Sequence, residues 1–192
     1  MRVIAGAAGG IRLDVPKSGV RPTMDRVKGA IFSSLGDRII DATVLDLFAG
    51  SGALGIEALS RGATSVLFVE ENSAAVTAIE QNLKRTKLKG SVRKQNVFAF
   101  LHSASAREPF QIIFADPPYE QTKSGGEFTR PLLEDRQLAE MLEPSGIFVL
   151  EKPPSEKLPS SGLWDVTRAR GYGATEVLFL QRADVAAEAR LR

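Results

Sequence analysis

The chain of 192 residues contains no cysteine, one histidine and one tryptophan. Without cysteine there can be no disulfide, no thiolate metal site and no thiol nucleophile. The lone His102 has no clustered partner and reads as structural, so no metal is expected. Apolar stretches of the roughly 18 residues needed to cross a bilayer are also missing. Met1-Arg2-Val3-Ile4-Ala5-Gly6 lacks the apolar run of a signal peptide. The expectation is a soluble, cytoplasmic protein with no membrane partner. An excess of one charge is lacking too: 25 basic residues face 23 acidic ones, a net +2 that argues little by itself for a polyanionic partner.

The charge that exists is unevenly placed. Residues 1 to 28 carry six basic residues (Arg2, Arg12, Lys17, Arg21, Arg26, Lys28) against Asp14 and Asp25. Arg168, Arg170 and Arg182 form a second basic group, and the two would make a phosphate-binding footprint if folding brings them to one face. Scattered solvating charge is the plain alternative. The 43% hydrophobic content suffices for one core.

From residue 43 onward, short apolar runs alternate with amphipathic segments, the pattern of βαβ units around a mostly parallel sheet. Strands are expected at Val44–Phe48, Val66–Val69, Ser91–Lys94, Ile112–Ala115 and Ile147–Glu151. Helices are expected at Ala53–Arg61, Ser73–Arg85 with Ser73 as its cap, Val97–Ser103 and Leu132–Leu142. Trp164–Arg170 and Glu176–Gln181, with Gly171 and Gly173 between them, complete about seven strands as a closing hairpin. Ahead of this core, Val3-Ile4-Ala5 and Ile11-Arg12-Leu13 around Gly9-Gly10 read as a β-hairpin, followed by a helix over Thr23–Leu35. The chain therefore divides into an extension (1–40), an α/β core (41–183) and a tail prone to fraying (184–192). Gln121–Thr129 is polar and reads as a lid beside the site.

Asp46-Leu47-Phe48-Ala49-Gly50-Ser51-Gly52-Ala53-Leu54-Gly55 lies where the first strand turns into a helix. Its glycines permit a tight turn and close approach of a ligand. Gly50, Gly52 and Gly55 also fit a dinucleotide fingerprint, and Glu70 stands 20 residues after Gly50, where a carboxylate would take ribose hydroxyls. Asp46 separates the ligands. A carboxylate at the mouth of the first strand would repel a pyrophosphate, whereas the ammonium and sulfonium of S-adenosylmethionine tolerate it. Phe48, Ser51, Asn96 and Val97 complete the candidate cofactor set, Asn96 being equally a helix cap.

Asp116-Pro117-Pro118-Tyr119 follows the fourth core strand, on the same sheet edge as the glycine loop. An exocyclic base amine is a poor nucleophile, because its lone pair is delocalised, and must be oriented by acceptors. Asp116 and the Pro117 carbonyl can accept its two N–H bonds, both prolines stiffen the backbone, and Tyr119 can stack on an extruded base. The bland alternative is a Pro-Pro loop that ends a strand.

Together, Asp116–Tyr119 and Asp46–Gly52 resemble the class I methyltransferases that modify adenine N6 or guanine N2. Met1–Gly6, Gly9-Gly10, Leu13, Arg21-Pro22-Thr23, Asp25-Arg26-Val27, Phe32, Gly52 to Ala63, Tyr172-Gly173 and Thr175 further resemble the bacterial small-subunit ribosomal RNA guanine-N2 methyltransferase family, over about residues 1–181. The resemblance implies a Rossmann-like seven-stranded class I methyltransferase sheet with a small N-terminal hairpin and helix that engage RNA, through Arg2, Arg12, Arg21 and Arg26. It implies S-adenosylmethionine as cofactor and guanine N2 of 16S rRNA, in an assembled or partly assembled small subunit, as substrate. Ala7-Ala8-Gly9-Gly10 departs from the larger or basic residues relatives commonly carry at that turn. An adenine-N6 methyltransferase on DNA or RNA is the alternative, and a nucleotide-binding module without transferase activity is a third reading that Asp46 and the tetrapeptide oppose.

Overall fold

The computed structural model of the chain describes residues 1–15, 23–103, 109–118 and 128–183. Short runs rich in Val, Leu, Ile and Phe, too brief for helices, become buried strands. The strands are β1 (Thr43–Leu47), β2 (Ser65–Glu70), β3 (Ser91–Lys94), β4 (Phe110–Ala115), β5 (Leu142–Lys152), β6 (Trp164–Tyr172) and β7 (Thr175–Arg182), of which β3 and β6, at the two edges, are more polar and mostly exposed. They form one seven-stranded sheet of order β3-β2-β1-β4-β5-β7-β6. The first five strands run parallel, and β7 is antiparallel to both β5 and β6. Strand order reverses between β1 and β4, and the crevice beyond their carboxyl ends is where open α/β sheets take ligands.

Helices cover both faces. On one, α1 (Thr23–Leu35), α2 (Ala53–Ser60) and α3 (Ser73–Thr86) bring Ile31, Phe32, Ile56 and Ile79 onto Val44, Phe68, Phe114 and Val149. On the other, α4 (Val97–Ser103), α5 (Thr129–Glu134) and α6 (Arg136–Glu140) bring Leu101, Leu132 and Leu138 onto Leu45, Ile113, Phe148 and Leu150. The period of two along each strand assigns even-numbered residues of β1 and β4 to the α1 side. Asp46, in register with Phe114, therefore faces that side.

Three local expectations are corrected. The single helix over Leu132–Leu142 is two helices, because Asp135 adopts an extended conformation and its carboxylate accepts the amides of Gln137 and Leu138, starting α6 afresh. Leu142 belongs to β5. The cap of α3 is Asn72 rather than Ser73, its Oδ1 accepting from Ala74 and Ala75. The N-terminal hairpin is reduced to one antiparallel bridge, Arg2 with Arg12, flanked by Val3 N to Ile11 O at 2.9 Å and Leu13 N to Met1 O at 3.0 Å. So few ladder bonds cannot hold a hairpin alone.

The segment is held instead by the core. Val3, Ala8 and Leu13 are buried within the α1-side cluster, and burying a Val or Leu side chain contributes about 1.5–3 kcal/mol. Glu57, fully buried on α2, accepts from the amides of Ile4 (2.7 Å) and Ala5 (3.1 Å). Its charge is balanced by Lys28 at 3.2 Å and Arg61 at 2.7 Å. Burial pulls the Lys28 ammonium below its ordinary pKa, against the opposing pull of Glu57. Gly6 has φ +83°, and a Cβ there would fall 1.8 Å from the Ser60 carbonyl oxygen, so only glycine permits this docking.

Candidate active site

The glycine loop crosses from β1 to α2 by a succession of positive φ values: Phe48 (55°), Gly50 (55°) and Gly52 (77°). Positive φ is uncommon for phenylalanine and places the Phe48 ring off the strand axis, where it meets Phe128 edge-on at 5.4 Å and Phe98 at 6.3 Å. Phe98 and Phe128 were not singled out from the sequence. They are 30 residues apart in the chain and close only in the fold, so composition gave no signal.

Asp46 is 2% exposed, and its Oδ2 accepts from the Gly55 amide at 2.9 Å. It thereby takes one of the free amides at the start of α2. An anionic pyrophosphate approaching that helix end would meet an occupied donor and an acidic side chain. Desolvation, with smaller contributions from Asp116 and Glu70, pushes the Asp46 carboxyl up to about 8. A cation reaching it would favour the ionised form. The site thus fits a positively charged ligand better than a dinucleotide.

Glu70 ends β2 and is nearly buried, accepting from Gly50 N (2.8 Å) and Asn72 N (2.8 Å). Each carboxylate oxygen keeps a second acceptor position, so ribose hydroxyls can still be accommodated. The Gly50 bond also fixes the loop. Around Gly50 a Cβ would meet nothing closer than 3.9 Å, leaving that backbone open to a ligand. Ser51 and Gly52 are buried beneath the loop. Asn96 is occupied as the cap of α4, its Oδ1 accepting from Phe98 and Ala99 while its Nδ2 donates to Glu71. Val97 is buried in the core. Asn96 itself is exposed.

Asp116 lies one residue past Ala115, whose register partner is Leu47, so it stands beside the mouth of the glycine loop. Asp116 is half-buried, Pro117 buried and Pro118 exposed. Tyr119, Arg21 and the lid residues 121–127 lie outside the described residues, as does the tail from 184. Thr129, the last residue of the expected lid, is instead the buried first residue of α5, its hydroxyl bonded to Glu156. Arg2, Arg12 and Arg26 are exposed. The two basic groups lie on the same, α1 side of the sheet but far apart along it: the N-terminal bridge rests on α2 and α3 over the β1–β2 half, whereas Arg168, over the Phe179 ring, and Arg170 belong to the far edge strand β6. The half-buried Tyr172 packs against the α1-side core, which also contains Phe179. His102 is exposed on α4, its Nδ1 within 2.7 Å of the Phe98 carbonyl.

A family model described as Conserved hypothetical protein 95 matches residues 1–181. The chain belongs to this family. Its relatives include the ribosomal RNA small subunit methyltransferase D of Escherichia coli (strain K12), 36% identical over 184 residues, spanning 95% of this chain and 90% of that protein. A solved Thermus thermophilus protein superposes with a TM-score of 0.79 at 32% identity, covering 94% of this chain and 99% of the other. A T. thermophilus 16S rRNA N2 methyltransferase, solved with AdoMet and guanosine, matches with a TM-score of 0.66 at 25% identity, over 86% of this chain and 44% of that one. The Rossmann-like class I methyltransferase sheet expected from the sequence is the fold observed.

Proposed function

We propose that this member of the family transfers a methyl group from S-adenosylmethionine to the exocyclic N2 of a guanine in 16S rRNA. The observation that carries the reading is the placement of Asp116-Pro117-Pro118 directly across the switch point from the Asp46 glycine loop, in a chain related along nearly its whole length to a small-subunit rRNA methyltransferase. S-adenosylmethionine supplies an electrophilic methyl on a sulfonium centre. Asp46 and the open backbone at Gly50 receive its charged amino acid end, Glu70 its ribose, and the Phe48 cluster its base.

Asp116 then holds the target amine. Its carboxylate and the Pro117 carbonyl accept the two N–H bonds, which draws the nitrogen lone pair out of conjugation with the ring and directs it at the methyl group, and the proton that the methylated nitrogen sheds can pass to the Asp116 carboxylate. The rigid Pro117-Pro118 step keeps those acceptors in place at little entropic cost, and Tyr119 stacks on the base. Arg2, Arg12, Arg21 and Arg26 hold rRNA phosphates along the 1–40 segment, within an assembled or partly assembled subunit in the cytoplasm. β6 runs parallel to β5, so Arg170 and Tyr172 approach the same carboxyl edge as Asp116 and offer a second contact with the RNA.

Radiolabelled methyl transfer to 30S particles, naked 16S rRNA and duplex DNA, followed by nucleoside analysis, tests the assignment. N2-methylguanine from 30S particles is expected, and N6-methyladenine in its place overturns it. Asp116→Ala is expected to abolish turnover while leaving S-adenosylmethionine binding within about threefold, since a lost acceptor at the amine touches only the second substrate. Equal loss of both would make Asp116 a cofactor ligand.

A further inference from the structure

Beyond Leu150, which is in register with Ala115, β5 continues to Glu151 while β4 continues to Asp116. The two acids are therefore neighbours on adjacent parallel strands, at the same sheet edge and on the same face. Glu151 is half-buried, and among the described residues no hydrogen bond or ion pair holds its carboxyl group. Its strand neighbour Lys152 turns to the opposite face, where it is bound by Glu176 at 2.8 Å and by the carbonyls of Pro153 and Glu156. A structural role in neutralising Lys152 is thus already filled. Desolvation, and then the charge of Asp116, push the Glu151 carboxyl well above its ordinary range, and in its protonated form it offers one O–H donor and one carbonyl acceptor.

The edges of the bases give this pattern a meaning, one that rests on the guanine-N2 reading above. Once N2 of guanine is held at Asp116, the next groups along the same edge are N1–H, a donor, and O6, an acceptor. A carboxylic acid matches that pair with two parallel hydrogen bonds. Adenine held by N6 presents N1, an acceptor, and then an apolar C–H, so the same acid makes only one bond. We propose that Glu151 reads N1–H and O6 of the target guanine beside Asp116, and is the residue that separates guanine from adenine in this site. Two neutral hydrogen bonds to guanine against one to adenine leave a difference of one bond, about 0.5–1.5 kcal/mol, which is a preference of roughly 2- to 13-fold.

The test compares wild type, Glu151→Gln and Glu151→Leu. The amide of Gln keeps one donor and one acceptor in the same positions, while Leu keeps the size and loses both. Methylation of 30S particles, with kcat/KM read per variant, is expected to fall by roughly 5- to 150-fold in E151L, the worth of the two bonds, and to be largely restored in E151Q, with S-adenosylmethionine Kd and thermal midpoint little changed. In equilibrium binding, wild type is expected to prefer guanosine over 2-aminopurine riboside, which has the N2 amine but neither N1–H nor O6, and the ratio is expected to collapse to about one in E151L. Retained activity in E151L, equal loss in E151Q and E151L, or no guanosine preference in wild type overturns the assignment of Glu151. Absence of N2-methylguanine from the wild-type reaction would instead overturn the reading of the enzyme itself.

Discussion

Replacing Asp46 by asparagine should make the protein more stable and a worse binder of its cofactor. Asp46 is 2% exposed, and burial raises its pKa from the ordinary 3.8 to about 8. The native state therefore holds a proton that the unfolded chain releases above about pH 4. Because the unfolded state binds fewer protons in that window, the contribution of this group is complete below the unfolded pKa and declines as pH rises, until the folded pKa is passed. At about 1.4 kcal/mol per unit the decline reaches about 4 kcal/mol by pH 7. Asparagine removes the ionisation and retains an acceptor for the Gly55 amide, but its own NH2 group enters the core without an assigned partner, at a cost of about 1–3 kcal/mol. The net expectation at pH 7 is a gain of about 1–3 kcal/mol. Urea unfolding at pH 5, 6, 7 and 8 reads it directly: the gap between D46N and wild type should widen with pH, by at most about 1.4 kcal/mol per unit. A gap independent of pH refutes the buried-acid argument, whatever its size.

In wild type, a cationic ligand that ionises Asp46 must release the proton held there, so S-adenosylmethionine affinity should rise from pH 6 to pH 8 and do so much less in D46N; calorimetry in buffers of different ionisation enthalpy would count the proton. Glu57→Ala removes the partner of two part-buried amides and two cations. It should cost about 3–5 kcal/mol, with the Ile4 and Ala5 amides losing hydrogen-exchange protection first; unchanged protection would show that the segment is held elsewhere. Arg2→Ala with Arg12→Ala should leave S-adenosylmethionine binding unchanged, weaken RNA binding and flatten its salt dependence by about one unit of log–log slope per lost phosphate contact. An unaltered slope would remove these side chains from the RNA interface.

The sheet and its helices were legible because strand and helix periods differ and each apolar run had a single period. What escaped was set by individual polar side chains. Leu132 to Leu142 carries an unbroken helical pattern, and only the Asp135 carboxylate turning back on Gln137 and Leu138 divides it. Asn72 and Ser73 are both good caps, and sequence cannot choose between adjacent candidates. Glu57 was not singled out from the sequence, although its helix is otherwise almost all small or apolar and offers it no polar face. Glu151 looked like the end of a strand, because its significance comes from the register with β4 and not from its own neighbours in sequence. The glycine loop and Asp116 were visible since their chemistry is local, whereas the Phe48, Phe98 and Phe128 cluster exists only after three separate segments meet.

The fully buried Asn82 on α3 receives the Asp14 amide on its Oδ1, and its Nδ2 donates to the carbonyls of Asp14 and Ser51. One side chain thus ties the end of the N-terminal segment to the glycine loop. A fragment beginning near residue 40 would lack Asp14, leave Asn82 half-satisfied beneath the loop, and strand the Glu57 carboxylate without its two amides. The loop's shape is consequently a property of the chain from its first residues onward, so pulling the N-terminus away, by force or by a competing surface, would act as a remote brake on cofactor capture.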